Sequence, residues 1–99
     1  ITASKRSGEQ FWRLPNDKCY KKLYKGDFTD FKNIGGRYGG CITAGMFIGE
    51  FVQDKPWLHL DIAGTSWVES SSDTTPKGGT GAPVATLYEL VVKHKCKHK

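Results

Sequence analysis

The clearest alternation of apolar and polar residues lies at positions 56–65, with the sequence P-W-L-H-L-D-I-A-G-T. Apolar side chains at 58, 60 and 62 share one face of an extended chain, and Trp57, His59 and Asp61 share the other. Apolar groups on both faces are typical of a central strand covered on two sides, which favours an α/β protein. Pro56 precedes this strand and Gly64 follows it. Because open α/β sheets bind ligands where strands end, we expect a site near Gly64.

Helical spacing predicts three helices around this strand. The first, over 17–25, would be capped by Asn16 or Asp17 and ended by Gly26. Its buried stripe would be formed by Tyr20, Leu23 and Tyr24. The last helix would take Thr80 as its N-cap, with Pro83 in its first turn. Its buried stripe would be formed by Val84, Leu87, Tyr88, Leu90 and Val91.

The middle helix is predicted over 41–52 and follows a loop with four glycines in six residues, at 35–40. Ala44, Gly45 and Gly49 form a strip of small residues, which lets another part of the chain approach closely. Since each mid-helix glycine costs about 1 kcal/mol relative to alanine, we interpret this as a core helix. An extended segment at 9–15 and a short strand at 31–34 bring the expectation to about three strands and three helices.

Ninety-nine residues suffice for one small domain. The chain opens I-T-A-S-K-R, with neither an initiator Met nor a signal peptide, and we expect a piece of a longer polypeptide. No apolar run approaches the ~20 residues of a membrane helix. Three widely spaced cysteines indicate a reduced, intracellular chain (Cys19, Cys41 and Cys96).

The net charge of +5 is concentrated in the tail at 93–99, K-H-K-C-K-H-K. Such a tail can bind nucleic acid or an anionic surface. We favour a simpler interpretation, in which cations complement the dipole of the last helix, because no aromatic residues interleave them as in single-strand binders. Metal capture by the histidines and the cysteine of this tail is a further alternative.

A complete catalytic constellation is absent from the sequence. His59 and Asp61 could pair as a base and its orienting carboxylate, but such a pair in a strand is more often structural. No G-x-S-x-G elbow surrounds Ser66. The acidic residues Asp27, Asp30 and Asp61 are too scattered to suggest a metal site.

Several motifs nevertheless occur in a specific order. Glu9 precedes W-R-L-P at 12–15, and D-x-x-N-I-G at 30–35, G-G-x-I-T-A at 39–44, W-x-H-L-D-I-A-G-T at 57–65 and K-G-x-T-G at 77–81 follow. This set resembles the catalytic domain of the leucyl (cytosol) aminopeptidase family of metallopeptidases, from Gly8 to about Leu90. The resemblance implies that residues 1–99 are a single partial domain, the C-terminal portion of a three-layer α/β/α domain with a mixed, mostly buried sheet.

The resemblance also implies a function. Members are hexameric cytoplasmic enzymes that remove N-terminal residues, preferably leucine, from peptides. Two divalent metal ions (zinc, manganese or magnesium) activate a bridging water, and a bicarbonate held by an arginine assists proton transfer. The metal ligands lie around an upstream N-T-D-A-E-G-R motif that this sequence lacks, so we expect this chain alone to bind no metal and to be inactive.

Position by position, the resemblance assigns substrate-binding roles but no catalytic residue. The stretch Ala63, Gly64, Thr65 and Ser66 would line the pocket for the substrate's N-terminal side chain, and Ile34 would touch the residue after the scissile bond. Ser66 stands where many members have an apolar residue such as methionine. A substrate's apolar side chain gains less from contact with a hydroxyl than from contact with an apolar residue, which puts the preference for leucine in doubt. His59 and Asp61 would be structural.

The first hypothesis is therefore a fragment of an aminopeptidase that is catalytic only when joined to the rest of the enzyme. Two further hypotheses compete with it. One is a stand-alone remnant that acts as a binding or assembly module without hydrolysis. The other is a basic nucleic-acid-associated domain led by its tail. About three strands and three helices do not cover both faces and edges of a sheet, so we also expect the chain to need the rest of the enzyme or copies of itself.

Overall fold

A computed structural model describes residues 1–94 of the chain. Its helices and strands are α1 (Thr2–Ser7), a 3-10 helix (Lys18–Leu23), α2 (Gly40–Gly49), β1 (Trp67–Val68), β2 (Gly78–Gly79) and α3 (Val84–Lys93). They belong to two compact units. The first contains Ile1–Trp12 and the described residues from Ile62 onward, and the second is Arg13–Asp61. The interpretation of residues 1–99 as one partial domain stays a prediction. Residues 95–99, which are most of the basic tail, lie outside the described part.

The first unit is built on the packing of α1 against α3. Ser4 of α1 and Thr86 of α3 are both buried. The Ser7 hydroxyl lies 2.9 Å from the Thr86 hydroxyl. Gly8 ends α1 in the left-handed conformation, with φ of 79°, which glycine adopts without a Cβ penalty.

Glu9 then caps α3 from outside the helix. Its Oε2 accepts the Thr86 backbone N–H at 2.8 Å and the Thr86 hydroxyl at 2.5 Å. The helix's own N-cap, Pro83, offers no side-chain cap bond. The hydrogen bonds from Thr86 lower the pKa of the Glu9 carboxyl. A residue 77 positions away in sequence therefore satisfies donors that every helix start leaves unpaired.

Two expectations for the last helix are wrong. It begins at Val84 rather than directly after Thr80. Its apolar stripe is exposed, because the six-residue α1 contacts the side that carries Thr86 and no described residue covers the rest. The exposed stripe residues are Val84, Leu87, Tyr88, Leu90 and Val91.

The only ladder in residues 1–94 joins β1 and β2 as an antiparallel pair, with Trp67 opposite Gly79 and Val68 opposite Gly78. The expected strand at 31–34 is reduced to a single bridge between Lys25 and Phe31. The expected mixed, mostly buried sheet of about three strands is therefore not formed by these residues alone.

In the second unit, the segment expected as a helix over 17–25 is instead the 3-10 helix. The Asp17 carboxylate accepts the Cys19 backbone N–H at 2.8 Å, as an N-cap does. Tyr24 leaves the helical conformation, with φ of −115°. Its carbonyl accepts the Lys32 N–H at 2.6 Å, so the chain turns here before reaching Gly26.

Tyr24 centres the core of this unit and is 2 % exposed. Its ring belongs to a cluster with Phe31, Phe47 and Phe51, in which neighbouring centroids lie 5.3 to 6.3 Å apart. Tilted and edge-on contacts at these distances suit the aromatic quadrupoles. Of the expected stripe, Tyr24 is buried and Leu23 is exposed.

An ion pair joins the 3-10 helix to the end of α2. The Tyr24 hydroxyl donates to Glu50 Oε1 at 3.0 Å, and Lys21 Nζ lies 2.6 Å from the same oxygen. Burial, followed by the hydrogen bond and charge of Glu50, raises the pKa of Tyr24 to about 12. Lys21 is the main cause of the lowered pKa of Glu50. Helix α2 itself ends at Gly49, three residues before the expected end, and Gln53 and Asp54 have positive φ.

The small-residue face of α2 receives side chains from the segment 57–61. A Cβ placed on Gly49 would lie 2.6 Å from Trp57 Cζ2, and one on Gly45 would lie 3.2 Å from His59 Cδ2. Asp61 lies beside Cys41 and raises the pKa of its thiol. Four residues of a helix rise about 6 Å, and two residues of an extended chain advance about 6.6 Å. The segment is therefore extended and runs antiparallel to α2, with every second side chain on the helix.

This segment is not part of a strand ladder, which corrects the expectation of a strand over 57–63. Positions 57–60 make no backbone-to-backbone hydrogen bond with any described residue. The alternation of side chains is present, but a strand also needs a neighbour to pair with. On the side away from α2, Leu58 is 68 % exposed.

Gly49→Ala should destabilise the full-length protein that contains this chain, although alanine is the better helix former. The new methyl group would overlap the Trp57 ring, and overpacking costs about 1 to 3 kcal/mol. The gain in helix propensity is about 1 kcal/mol, so we expect a net loss of up to about 2 kcal/mol, measured as a lower urea-unfolding midpoint.

Gly40→Ala is the matched control in the same helix, because nothing lies within 4 Å of the added methyl group. A Gly49→Ala protein as stable as Gly40→Ala would contradict the close packing of Trp57.

Glu9→Gln should weaken the cap of α3 and change the acid response of stability. The pKa of Glu9 is lowered in the folded state, so its contribution is present above the unfolded value and is lost as pH falls through the folded value. The Gln variant should be less stable at pH 7 and should lose less stability on acidification below about pH 4.5.

The measurement is the unfolding midpoint of the full-length protein against pH. Glu69→Gln is the control, because Glu69 is exposed and makes no hydrogen bond or ion pair within residues 1–94. Parallel pH profiles for the Glu9 variant and the unmodified protein would exclude the capping role.

Candidate functional site

The stretch predicted to line a substrate pocket forms a closed turn in the first unit. The Ile62 carbonyl accepts the backbone N–H groups of Thr65 at 3.0 Å and Ser66 at 2.9 Å. Positions 63–65 are exposed and Ser66 is half-buried. A Cβ on Gly64 would meet no atom within 4 Å, so the surface above this glycine is open. We call residues 62–66 the wall turn.

Thr80 holds the wall turn from the other side. Its hydroxyl donates to the Thr65 carbonyl at 2.6 Å, and its backbone N–H donates to the Ser66 carbonyl at 2.9 Å. The same hydroxyl accepts the Ala82 N–H at 3.3 Å. These bonds account for Thr80 in the K-G-x-T-G motif, and they replace the N-cap role expected from the sequence.

Ile34 belongs to the second unit and presents an aliphatic side chain that is 74 % exposed. Behind it, Gly35 packs against buried Thr43 of α2, and a Cβ on Gly35 would lie 3.2 Å from the Thr43 side chain. The loop then uses positive φ at Gly36 and at Gly39, the N-cap of α2. Gly35 is thus explained by close packing, and Gly36 and Gly39 are explained by backbone conformation.

His59 and Asp61 contact α2 instead of forming a catalytic pair. The imidazole of His59 packs over Gly45 and makes no hydrogen bond with the described residues. Asp61 lies beside the Cys41 thiol and raises its pKa. This geometry favours structural roles for both residues.

None of the pKa shifts makes these groups better bases or better nucleophiles near pH 7. Hydrogen bonds lower the pKa of Glu9, Asp17 and Glu50, which makes their carboxylates weaker bases. Asp61 raises the pKa of Cys41, and burial raises that of Cys19, so neither thiol is activated as a nucleophile. Within residues 1–94, no three His, Cys, Asp or Glu side chains come together as a metal site would require.

Two long-range contacts could not be predicted from the sequence, that of Glu9 with α3 and that of Thr80 with the wall turn. Both residues lie in motifs that stood out in the sequence, but their partners are 77 and 15 positions away. Neither spacing follows a helical or strand period, so no local pattern could have shown the pairing.

Comparison with known proteins identifies the class. Residues 1–88 match the model of the cytosol aminopeptidase family, catalytic domain. The probable cytosol aminopeptidase of Clostridium perfringens is 57% identical over 95 residues, which are 96% of this chain and 19% of that protein. That of Alkaliphilus metalliredigens is 56% identical over 88 residues, 89% of this chain and 18% of that protein.

Two solved structures of similar proteins superpose on this chain. A mutant of tomato leucine aminopeptidase superposes with a TM-score of 0.83 at 38% identity, covering 94% of this chain and 18% of that one. The bottromycin maturation enzyme BotP, in complex with Mn, superposes with a TM-score of 0.84 at 37% identity, covering 91% of this chain and 20% of that one.

The chain belongs to the cytosol aminopeptidase family, which confirms the resemblance seen in the motifs. It spans about a fifth of the length of the curated relatives it matches. The neighbours support the α/β class, although the described residues show no three-layer sheet. None of the described helices is long and apolar enough to cross a membrane.

Proposed function

We propose that the protein containing this chain is a cytoplasmic, metal-dependent aminopeptidase that releases N-terminal residues from peptides, and that this chain supplies part of its substrate pocket. The family match over residues 1–88 carries this proposal. The wall turn supports it, because an open surface over Gly64 beside a hydrogen-bonded backbone suits contact with a substrate side chain.

In this proposal the wall turn contacts the side chain of the substrate's first residue through Ala63, Gly64, Thr65 and Ser66. Ile34 contacts the residue after the scissile bond, and its exposure leaves it available for that contact. The half-buried Ser66 places a hydroxyl on the wall, so leucine gains less from burial here than it would against an apolar residue.

The proposed metal ions and bicarbonate do not fit the residues described here. No group of three potential ligands exists within residues 1–94, and the described carboxylates with shifted pKa values bond to neighbouring side chains or backbone. We therefore assign two zinc, manganese or magnesium ions, and the bicarbonate, to other parts of the full-length enzyme. This chain's own contribution is binding and positioning.

The uncovered apolar surface supports a partner for this chain. Tyr24 is the only large hydrophobic side chain that is buried among the described residues. Trp12 is 87 % exposed and Phe28 is 104 % exposed. Scattered apolar residues are normal on a surface. A chain that buries a single large hydrophobic side chain, however, has hardly any hydrophobic core. We propose that the remainder of the aminopeptidase covers this surface, and that the complete enzyme forms a homo-oligomer, a hexamer as in the family.

The full-length protein should hydrolyse leucyl-p-nitroanilide when manganese is added, and the 99-residue chain alone should not, because it lacks a set of metal ligands. Release of p-nitroaniline measures both. Dialysis against a chelator should abolish the activity of the full-length protein, and manganese should restore it.

Turnover by the purified 99-residue chain would overturn the placement of the metal site elsewhere. An inactive full-length protein would favour the alternative function, a non-catalytic binding or assembly module.

The isolated chain should not behave as a stable monomer, since exposed side chains such as Trp12, Phe28 and Leu58 favour association. We expect self-association in light scattering and a broad transition in calorimetry. Co-expression with the upstream part of the protein should yield one cooperative complex. A monodisperse monomer that melts cooperatively would contradict the need for a partner.

A further inference from the structure

Thr80 occupies an unusual position relative to the wall turn, because one residue bonds two successive carbonyls. Its hydroxyl donates to Thr65 and its backbone N–H donates to Ser66, at 2.6 and 2.9 Å. The hydroxyl also accepts from Ala82, just before α3. Thr80 therefore ties the wall turn to the beginning of the last helix.

The backbone of Thr65 and Ser66 is fully paired as a result. Both N–H groups donate to the Ile62 carbonyl, and both carbonyls accept from Thr80. With these four groups held, the peptide planes on either side of Ser66 cannot rotate without breaking hydrogen bonds. The direction in which the Cα–Cβ bond of the half-buried Ser66 leaves the backbone is thereby fixed. Ala63 and Gly64, at the exposed tip, are attached to this fixed base.

We propose that Thr80 is a positioning residue that sets the substrate preference of the enzyme by holding the wall turn in place. This inference rests on the proposed function, because the turn is a pocket wall only in an aminopeptidase. A long substrate side chain reaches a wall and gains from a close fit, whereas a short one contacts it little. Displacements of about 1 Å at such positions can change rates up to about 100-fold.

Thr80→Val tests the hydroxyl alone. Valine keeps the shape of threonine and the backbone N–H bond to Ser66. It loses both bonds of the hydroxyl, the one donated to the Thr65 carbonyl and the one accepted from the Ala82 N–H. Thr80→Ser keeps the hydroxyl and should restore the behaviour of the unmodified enzyme. Thr74→Val is the matched control, because Thr74 is exposed and makes no hydrogen bond within residues 1–94.

The first readout is kcat/KM of the full-length enzyme for leucyl- and alanyl-p-nitroanilide. We expect Thr80→Val to lower the leucyl value about tenfold and the alanyl value less than about threefold, in line with the worth of a single positioning contact. The ratio should be unchanged in Thr80→Ser and Thr74→Val. A merely structural role would reduce the active fraction, and both substrates would then lose rate equally.

The second readout does not depend on activity. Hydrogen exchange of the peptide that covers 62–68 should be about tenfold faster in Thr80→Val, because the amides of Thr65 and Ser66 open more often. If Thr80→Val yields too little folded enzyme, Thr80→Cys, whose thiol is a weaker donor, serves in its place.

Unchanged exchange would overturn the contact itself, and faster exchange with an unchanged substrate ratio would overturn the role in specificity. Equal loss on both substrates would also overturn that role. An unmodified enzyme inactive on both substrates would refute the proposed function and the specificity role with it, whereas the exchange data would still decide whether Thr80 holds the turn.

Discussion

The second unit depends on the close approach of the segment 57–61 to α2. Glycines at 45 and 49 leave room for the His59 imidazole and the Trp57 indole, and Asp61 reaches the Cys41 thiol one helical turn further on. The repeat of four residues in the helix matches two residues of extended chain. Larger side chains on this face would push the segment away from α2.

The first unit depends on hydrogen bonds between distant residues more than on apolar packing. Glu9 caps α3, and Thr80 holds the wall turn, in each case by bonding backbone groups that would otherwise lack partners. Polar side chains are specific in this role, because a hydrogen bond requires defined distance and direction. The apolar stripe of α3, in contrast, is exposed in the described part of the chain.

These two units explain how a chain with hardly any buried apolar residues can still hold a defined local geometry. The aromatic cluster around Tyr24 and the small face of α2 order the second unit. The pKa values that shift move away from neutrality, as they do in structural hydrogen bonds and ion pairs. These shifts are consistent with structural roles for the groups concerned, and the role proposed above for this chain is binding and positioning.

The sequence alone determined the family, the glycine loop before α2, the alternation at 57–61 and the positions of α2 and α3 to within a few residues. These follow from motifs and from local periodicity, which depend on neighbouring residues. The tertiary structure decided that Lys18–Leu23 forms a 3-10 helix, that 57–60 has no strand partner here and that the stripe of α3 is exposed. It also decided the partners of Glu9 and Thr80. Pairing and burial depend on which residues lie close in space, and local sequence patterns do not show that.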